Sequence, residues 1–290
     1  GQGAGMRYLR YVLTRENWQS LMSSKPDIII SAGGAISAVN YLLAKENQAK
    51  SVVLMRPANL SLKKFNLVII PQHDRPVQRG NVVITEGALN LIDPDYLTQK
   101  AKRLEQPGLL KGPLRNPCIG VLIGGNSKGF SLEVKLILDL VKEIKKSAEE
   151  LNADVLVTTS RRSSCEVEDV VKSGFTNYAR CKLLIIAREN NNPDVVGGIL
   201  GLSSVVISSP ESISMISEAV CAKKYVVVFN ALQLGAKHQR FLKNYQAKKY
   251  IYLEQMDNLS LSINQLLRNQ PEVNFPKDNL KVIEGLNKIL

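Results

Sequence analysis

Two adjacent glycines, Gly124 and Gly125, follow an apolar run and precede a helix expected to begin near Ser131. Glycine leaves backbone amides accessible, and amides close to a helix N-terminus suit a diphosphate. The spacing matches neither the P-loop nor the dinucleotide fingerprint, and a tight turn beside a solvated lysine is the structural alternative. The residues assigned to this candidate phosphate loop are Gly124, Gly125, Asn126, Ser127 and Lys128.

A second polar segment, Thr158–Ser164, directly follows the next predicted strand and contains Ser160, Arg161 and Arg162. In parallel α/β sheets, ligands bind at the carboxyl ends of the strands. Two neighbouring guanidinium groups beside hydroxyls are suited to contact an anion there. A basic solvent-exposed loop is an equally simple interpretation.

A third segment, Ser208–Ala219, is richer in hydroxyls than helix capping requires. Amides and hydroxyls at the start of its predicted helix could hold phosphate, and Glu218 could accept hydrogen bonds from ribose hydroxyls. The alternative is a serine-rich N-cap with an exposed Glu218. The candidate binding residues of this segment are Ser209, Ser212, Ser214, Met215 and Glu218.

The chain has two histidines, and His73 stands beside Asp74 at the end of a predicted strand. Either side chain could act as a general base or bind an acceptor hydroxyl. A purely structural pair is the alternative. The other histidine, His238, lies in a basic stretch that indicates no particular chemistry.

Apolar runs bounded by turn residues alternate with amphipathic segments, a pattern typical of parallel βαβ units whose sheet is buried on both faces. The predicted strands are Asp27–Ser31, Ser51–Met55, Leu67–Ile70, Val82–Thr85, Cys118–Ile123, Val155–Thr159, Lys182–Ile186, Ser204–Ile207 and Tyr225–Phe229. The predicted helices are Ala35–Glu46, Leu132–Leu151, Glu166–Ser173, Pro193–Leu202, Ser212–Ala222, Gln239–Lys248 and Pro276–Leu290.

Prolines and glycines interrupt this periodicity between Gln106 and Pro117, which predicts an interdomain linker. The expected division is an N-terminal Rossmann-like domain over residues 1–112 and a C-terminal one over residues 113–290, with a closing helix.

The formal charge of +12 favours an anionic partner, such as a phosphorylated substrate or anionic lipid headgroups. No motif predicts nucleic-acid binding. The four cysteines show no metal-ligand spacing, so we predict neither a metal site nor a cofactor. Their wide separation along the chain favours a reducing compartment. The apolar runs are strand-sized and short of a membrane span. We therefore expect a cytoplasmic protein, peripheral at a membrane.

Six strings occur in order along the chain: Pro26-Asp-Ile-Ile-Ile-Ser-Ala-Gly-Gly34, Phe65-Asn-Leu-Val-Ile-Ile-Pro-Gln-His-Asp74, Asn81-Val-Val-Ile-Thr-Glu-Gly-Ala-Leu-Asn90, Leu122-Ile-Gly-Gly-Asn-Ser-Lys128, Thr159-Ser-Arg-Arg162 and Ser212-Ile-Ser-Met-Ile-Ser-Glu-Ala219. Together they resemble the ELM-type mitochondrial-fission family of glycosyltransferases. The resemblance implies a GT-B-like fold of two Rossmann-like domains facing a cleft. The candidate loops from Gly124 onward would then line the donor nucleotide, and Gln72–Asp74 would face it from the acceptor-side domain.

The chain departs from the family pattern at three positions. Glu211 stands where the family usually has aspartate, Asp194 where an aromatic residue is common, and Glu86 where an apolar residue is typical. These differences concern donor specificity more than fold. The first strand or two of the family's N-terminal domain are also expected to be missing before Met6, which would leave the acceptor-side domain incomplete.

The resulting hypothesis is metal-independent transfer of a sugar from a nucleotide-diphosphate sugar to an unknown acceptor, for which a lipid-linked or otherwise membrane-associated molecule is one candidate. Arg161 or Arg162 would offset the leaving-group charge, and His73 or Asp74 would activate the acceptor. One alternative is a non-catalytic scaffold that keeps the fold and works at a membrane surface. Another is a nucleotide-sugar epimerase, which would need further acidic residues at the site.

Overall fold

The computed structural model describes residues 10–11, 13–23, 25–127, 130–231 and 233–290. The strands are β1 (Ile28–Ala32), β2 (Lys50–Leu54), β3 (Leu67–Pro71), β4 (Val82–Thr85), β5 (Cys118–Ile123), β6 (Asp154–Thr159), β7 (Cys181–Ile185), β8 (Val205–Ser208), β9 (Tyr225–Phe229) and β10 (Tyr252–Glu254). The helices are α1 (Arg15–Ser23), α2 (Ser37–Asn47), α3 (Pro94–Leu104), α4 (Val134–Glu150), α5 (Cys165–Phe175), α6 (Val195–Leu202), α7 (Ile213–Cys221), α8 (Ala236–Ala247), α9 (Leu259–Asn269) and α10 (Asp278–Asn287).

All nine predicted strands are present, because continuous Val, Ile and Leu runs suit strands that are covered on both faces. The helices α1, α3 and α9 and the short strand β10 were not predicted. The omission of α3 was avoidable, since Asp93 accepts a capping bond from the Tyr96 amide at 2.7 Å and Pro94 opens the helix.

The chain divides into two compact units, one of residues 1–86 and 277–290 and the other of residues 87–276. This division differs from the expected boundary at 112/113. The reason lies in α3, which packs closely on α6 in the second unit. A Cβ atom added to Gly198 would lie 2.3 Å from Leu104 Cδ1, so only glycine permits this approach. Asp194 also pairs with Lys100 and Arg103 of α3.

The smaller unit is built on a parallel sheet in the order β1-β2-β3-β4. Its core joins Val53, Phe65, Val68, Ile70 and Val82. The C-terminal helix α10 belongs to this unit, because both carboxylate oxygens of Asp278 accept hydrogen bonds from the Glu86 amide at 3.0 and 2.9 Å.

The larger unit is built on a parallel sheet in the order β10-β9-β8-β5-β6-β7. The chain runs outward from β5 through β6 to β7, then returns to the other side of β5 with β8. Ligands of such sheets bind at the carboxyl ends of the strands where the order reverses, which here is the β5/β8 boundary. Within the described residues, no helix is long and apolar enough to cross a membrane.

Candidate functional site

The glycine turn after β5 is fastened to the loop after β8. The Gly124 amide donates to Ser209 Oγ at 2.7 Å, and the Gly125 amide donates to Glu211 Oε1 at 2.7 Å. Both amides therefore already have acceptors inside the protein. The expectation that these two amides are free to bind an anion is wrong, because the side chains of Ser209 and Glu211 already accept their hydrogen bonds.

The next two amides of this turn are also occupied. The Asn126 amide donates to the Arg162 carbonyl at 3.0 Å, and the Ser127 amide donates to the Phe130 carbonyl at 3.0 Å. Asn126 Oδ1 accepts from the Leu132 amide at 3.0 Å. Residues 124–127 thus fix the geometry of the site with their backbone groups. Lys128 lies outside the described residues.

The two glycines are required by close packing. A Cβ atom on Gly124 would lie 1.7 Å from Glu211 Oε1, and one on Gly125 would lie 2.2 Å from the carbonyl oxygen of Arg162. Real Cβ atoms do not approach other atoms this closely, so both positions exclude larger side chains. The turn joins three neighbouring loops at the carboxyl edge of the sheet.

Glu211 is an acid in the floor of this site, with 2% of its surface exposed. Its Oε1 atom also contacts the Ser209 hydroxyl at 3.1 Å, while Oε2 has no hydrogen-bond partner among the described residues. Burial raises the pKa of Glu211, and the hydrogen bonds it accepts and the charge of Arg162 oppose that rise. Glu211 is therefore a structural acid whose second oxygen is unsatisfied.

The loop after β6 forms a tight turn that exposes its two arginines. The Ser160 amide donates to Ser163 Oγ at 3.1 Å, and the Arg162 amide donates to Ser160 Oγ at 3.2 Å. Ser163 Oγ in turn donates to the Gly124 carbonyl at 2.5 Å. Ser160 shapes the turn, and within the described chain neither the Arg161 nor the Arg162 side chain has an ion-pair partner.

The start of α7 presents backbone amides to the same edge. Ser212 occupies the N-cap position, but its side chain makes no capping hydrogen bond. Its carbonyl accepts from the Ile216 amide at 3.1 Å, whereas the amides of Ile213, Ser214 and Met215 have no acceptor among the described residues. Three such amides at the positive end of a helix dipole can donate hydrogen bonds to an anion.

Glu218 lies further along α7. Its carboxylate is half-buried and makes no hydrogen bond or ion pair with any described residue. Burial alone raises the pKa of Glu218. Five residues of helical rise place it about 7.5 Å from the first residue of the helix along its axis. No described residue therefore occupies the Glu218 carboxylate.

His238, which indicated no chemistry in the sequence, belongs to this site. It lies in the first turn of α8, close enough to the Glu211 backbone and to Arg162 for both to influence its pKa. Burial lowers the pKa of His238, the charges of Lys237 and Arg162 lower it further, and the backbone of Glu211 opposes them. The detectable signal was its position after β9, because loops that follow adjacent parallel strands share one edge.

An apolar cavity of about 290 Å³ opens at the same edge, among segments that follow β5, β9 and β10. Its lining residues are Phe130, Ser131, Glu133, Leu136, Asn230, Ala231, Gln255 and Met256. No three His, Cys, Asp or Glu side chains in the described ranges are grouped so that they could hold a metal ion.

In the smaller unit, His73 and Asp74 lie in a single 3₁₀ turn after β3. Arg56 Nη2 donates to the carbonyls of Asp74 and Arg75 at 3.1 and 2.8 Å and so holds this turn. His73 is 6% exposed, while Asp74 is half-buried. Both residues are at the carboxyl end of a parallel strand, as predicted.

Comparison with known families identifies the chain. The family model described as "Mitochondrial fission ELM1" matches residues 7–270. The chain belongs to the mitochondrial fission ELM1 family. The family resemblance inferred from the six ordered strings is thereby confirmed. This ELM1-family chain is also similar to the uncharacterized protein RP120 of Rickettsia prowazekii (strain Madrid E), with 23% identity over 280 aligned positions that cover 84% of this chain and 76% of the relative.

Solved structures confirm the fold of this ELM1-family chain. The UDP-GlcNAc 2-epimerase of Methanocaldococcus jannaschii aligns with a TM-score of 0.55 and 10% identity, covering 90% of this chain and 74% of its own. The Neisseria meningitidis UDP-GlcNAc 2-epimerase bound to UDP-GlcNAc aligns with a TM-score of 0.55 and 14% identity. The alignment covers 93% of this chain and 78% of the epimerase chain. The wall teichoic acid polymerase TagF aligns with a TM-score of 0.53 and 15% identity, covering 95% of this chain and 74% of the TagF chain. The predicted GT-B-like α/β fold is therefore correct.

Proposed function

We propose that this ELM1-family protein is a glycosyltransferase that binds a nucleotide-diphosphate sugar in its larger unit and transfers the sugar to an acceptor hydroxyl. The observation that carries the proposal is the arrangement on α7, where three unoccupied amides begin the helix and the partnerless Glu218 carboxylate follows. A fold alone does not define a function, so the amides and the carboxylate of α7 are the specific evidence for nucleotide binding.

A nucleotide matches the two ends of this arrangement. Its phosphates carry the negative charge that the amides of Ile213, Ser214 and Met215 favour. Its ribose carries two vicinal hydroxyls, and one carboxylate can accept a hydrogen bond from each of them. The axial separation of about 7.5 Å between the helix start and Glu218 is comparable to the reach from a phosphate to the ribose of one nucleotide. A phosphate ion alone would leave Glu218 unused.

The positive side chains of the site are placed to stabilise a leaving diphosphate. Arg162 lies close enough to Glu211 and His238 to influence the pKa of both, and its guanidinium makes no ion pair among the described residues. Arg161 extends from the same turn. We assign charge compensation of the departing nucleoside diphosphate to these arginines and to the α7 amides, and we expect transfer without an added metal ion.

In the proposed reaction, the oxygen of an acceptor hydroxyl forms a bond to C1 of the sugar while the bond from C1 to the phosphate oxygen breaks. The electron pair of that bond leaves with the nucleoside diphosphate. The proton of the hydroxyl passes to a base, for which His73 and Asp74 are the candidates. The residues of the glycine turn, with Ser160 and Ser209, support the donor site through their hydrogen bonds.

The fold supports this proposal without selecting among related reactions, since both epimerases and a polymerase share it. The Neisseria epimerase is bound to UDP-GlcNAc, and we expect a ligand of the same chemical class here. An acceptor linked to a lipid or located at a membrane is part of the proposal because the chain carries a formal charge of +12.

The proposal is tested by titrating the protein calorimetrically with UDP, GDP, ADP and CMP and their sugars. Arg162→Ala should weaken binding of the matching nucleotide diphosphate by about tenfold or more, because a charge-assisted hydrogen bond is lost. Arg268→Ala is the matched control, since Arg268 is an exposed arginine of α9 without an ion pair in the described chain.

The products then distinguish the reactions. Release of nucleoside diphosphate together with a glycosylated acceptor supports a transferase, and conversion of one nucleotide sugar into another supports an epimerase. Failure of all four nucleotide classes to bind would overturn the proposal and favour a non-catalytic scaffold.

A further inference from the structure

The amino edge of the larger sheet contains a second cavity, of about 500 Å³. It lies among the segments that lead into β5, β8 and β9, three neighbouring strands. A strand the length of β5 separates the two edges of the sheet by about 16 Å. One small ligand therefore cannot occupy this cavity and the candidate nucleotide site together.

Three cationic side chains line this cavity: Arg115, Lys223 and Lys224. None of them pairs with a carboxylate in the described part of the chain. Glu105, an exposed residue, is the acidic member of the lining. The cations outnumber the carboxylate, so an anion would gain electrostatic free energy on entering.

The contacts of these cations leave most of their hydrogen-bond donors unused. Lys224 Nζ donates to the Gly201 carbonyl at 3.4 Å, and Lys223 Nζ lies 4.5 Å from the centroid of the Phe275 ring. Burial lowers the pKa of Lys224, since its charge is partly removed from water, and the nearby Cys118 opposes that fall.

Polar groups beside the cations complete a donor set for a phosphate. Arg115 Nη1 donates to Asn152 Oδ1 at 3.2 Å, which leaves its other guanidinium nitrogens for a ligand. Asn116 accepts from the Ser204 hydroxyl at 3.2 Å through Oδ1, so its amide nitrogen is available to donate. Guanidinium, ammonium and amide donors around one cavity are the chemistry that binds phosphate oxygens.

We propose that this amino-edge cavity is a second anion site, which binds the phosphate group of a ligand other than the donor nucleotide. The ligand is either a soluble phosphate compound or the phosphorylated headgroup of a lipid. Both present a phosphate group that carries one or two negative charges. The cavity exceeds the size of a bare phosphate and has room for the group that carries it.

The test measures binding of inorganic pyrophosphate by calorimetry at low salt, in an Arg162→Ala background that weakens the carboxyl-edge site. Lys224→Met and Arg115→Gln should each raise the dissociation constant by about tenfold or more. Lys142→Met is the control and should change it less than twofold, as Lys142 is an exposed lysine of α4 far from the cavity lining. Lys223→Met, at an exposed position, covers the case in which Lys224→Met fails to fold.

The source of the phosphate is identified by co-sedimentation with phosphatidylcholine vesicles, with and without phosphatidylserine. Loss of phosphatidylserine-dependent binding in Lys224→Met but not in Lys142→Met assigns the cavity to a lipid headgroup. Pyrophosphate binding without vesicle binding assigns it to a soluble ligand. The proposal is overturned if the protein binds neither probe, or if the cavity variants and the Lys142 control lose binding equally.

Discussion

The Glu211 carboxylate accepts a hydrogen bond from the Gly125 amide at 2.7 Å. A buried side chain of the protein therefore takes the hydrogen bond that the glycine turn would otherwise donate to an anion. The proposed binding of the diphosphate is therefore assigned to the start of α7 and to Arg162, and not to the glycine turn. The Glu211 carboxylate thereby links the loop after β8 to the turn after β5.

Glu211 should make stability depend on pH in a defined direction. Burial raises the pKa of Glu211 in the folded state above its ordinary value of 4.5. The folded state then binds the proton more tightly, and stability falls as pH rises from 4.5 through the folded-state pKa. Glu211→Gln removes this loss, so chemical denaturation should show the variant gaining stability relative to wild type as pH rises over that range. A pH-independent difference would contradict the assignment.

A companion variant, Glu211→Ala, removes the acceptor altogether and leaves the buried Gly125 amide unsatisfied. Relative to Glu211→Gln, which lacks the same titrating group, the expected loss is about 1–3 kcal/mol of unfolding free energy, at any pH at which the fold is intact. The glutamine variant keeps an acceptor oxygen and should avoid this loss.

Gly124→Ala should destabilise the larger unit. The added methyl group would lie 1.7 Å from Glu211 Oε1, which must move away from the hydrogen bonds that it makes. Overpacking of this kind costs about 1–3 kcal/mol, measured by denaturant unfolding. Gly80→Ala is the control, because a Cβ atom there meets no atom within 4 Å. Equal stability of the two variants would show that the turn tolerates displacement.

His238 should take up protons when a nucleoside diphosphate binds. Its pKa is below the ordinary value of 6.5, chiefly because of burial and then because of Lys237 and Arg162. A bound diphosphate would stabilise the imidazolium and raise that pKa, so binding at about pH 6 should consume protons. Calorimetry in two buffers of different ionisation enthalpy measures this uptake. His238→Gln should abolish it, and an unchanged uptake would exclude His238 from the ligand site.

Continuous apolar runs were sufficient to predict nine of the ten described strands, as the runs in β5 and β9 illustrate. The domain boundary was not predictable from Pro107 or Gly112, because it depends on how closely α3 packs on the glycines of α6. The contact of Glu211 with Gly125 links residues 86 positions apart, so local pattern could not show that the amide was already occupied. His238 joins the site through strand order, which requires the order β9-β8-β5 to be known.

The placement of a nucleotide along α7 is tested most directly by comparing a ribonucleoside diphosphate with its 2′-deoxy analogue, using the nucleotide that binds best. If Glu218 holds the ribose hydroxyls, wild type should bind the ribonucleotide about tenfold more tightly than the deoxy form, because a hydrogen bond to a charged group is lost.

Calorimetric titration of wild type, Glu218→Gln and the exposed-carboxylate control Asp139→Asn with both ligands gives the coupling between residue and hydroxyl. Glu218→Gln should remove most of the preference for ribose, while Asp139→Asn should retain it. An equal preference in wild type and Glu218→Gln would contradict the placement of a nucleotide along α7.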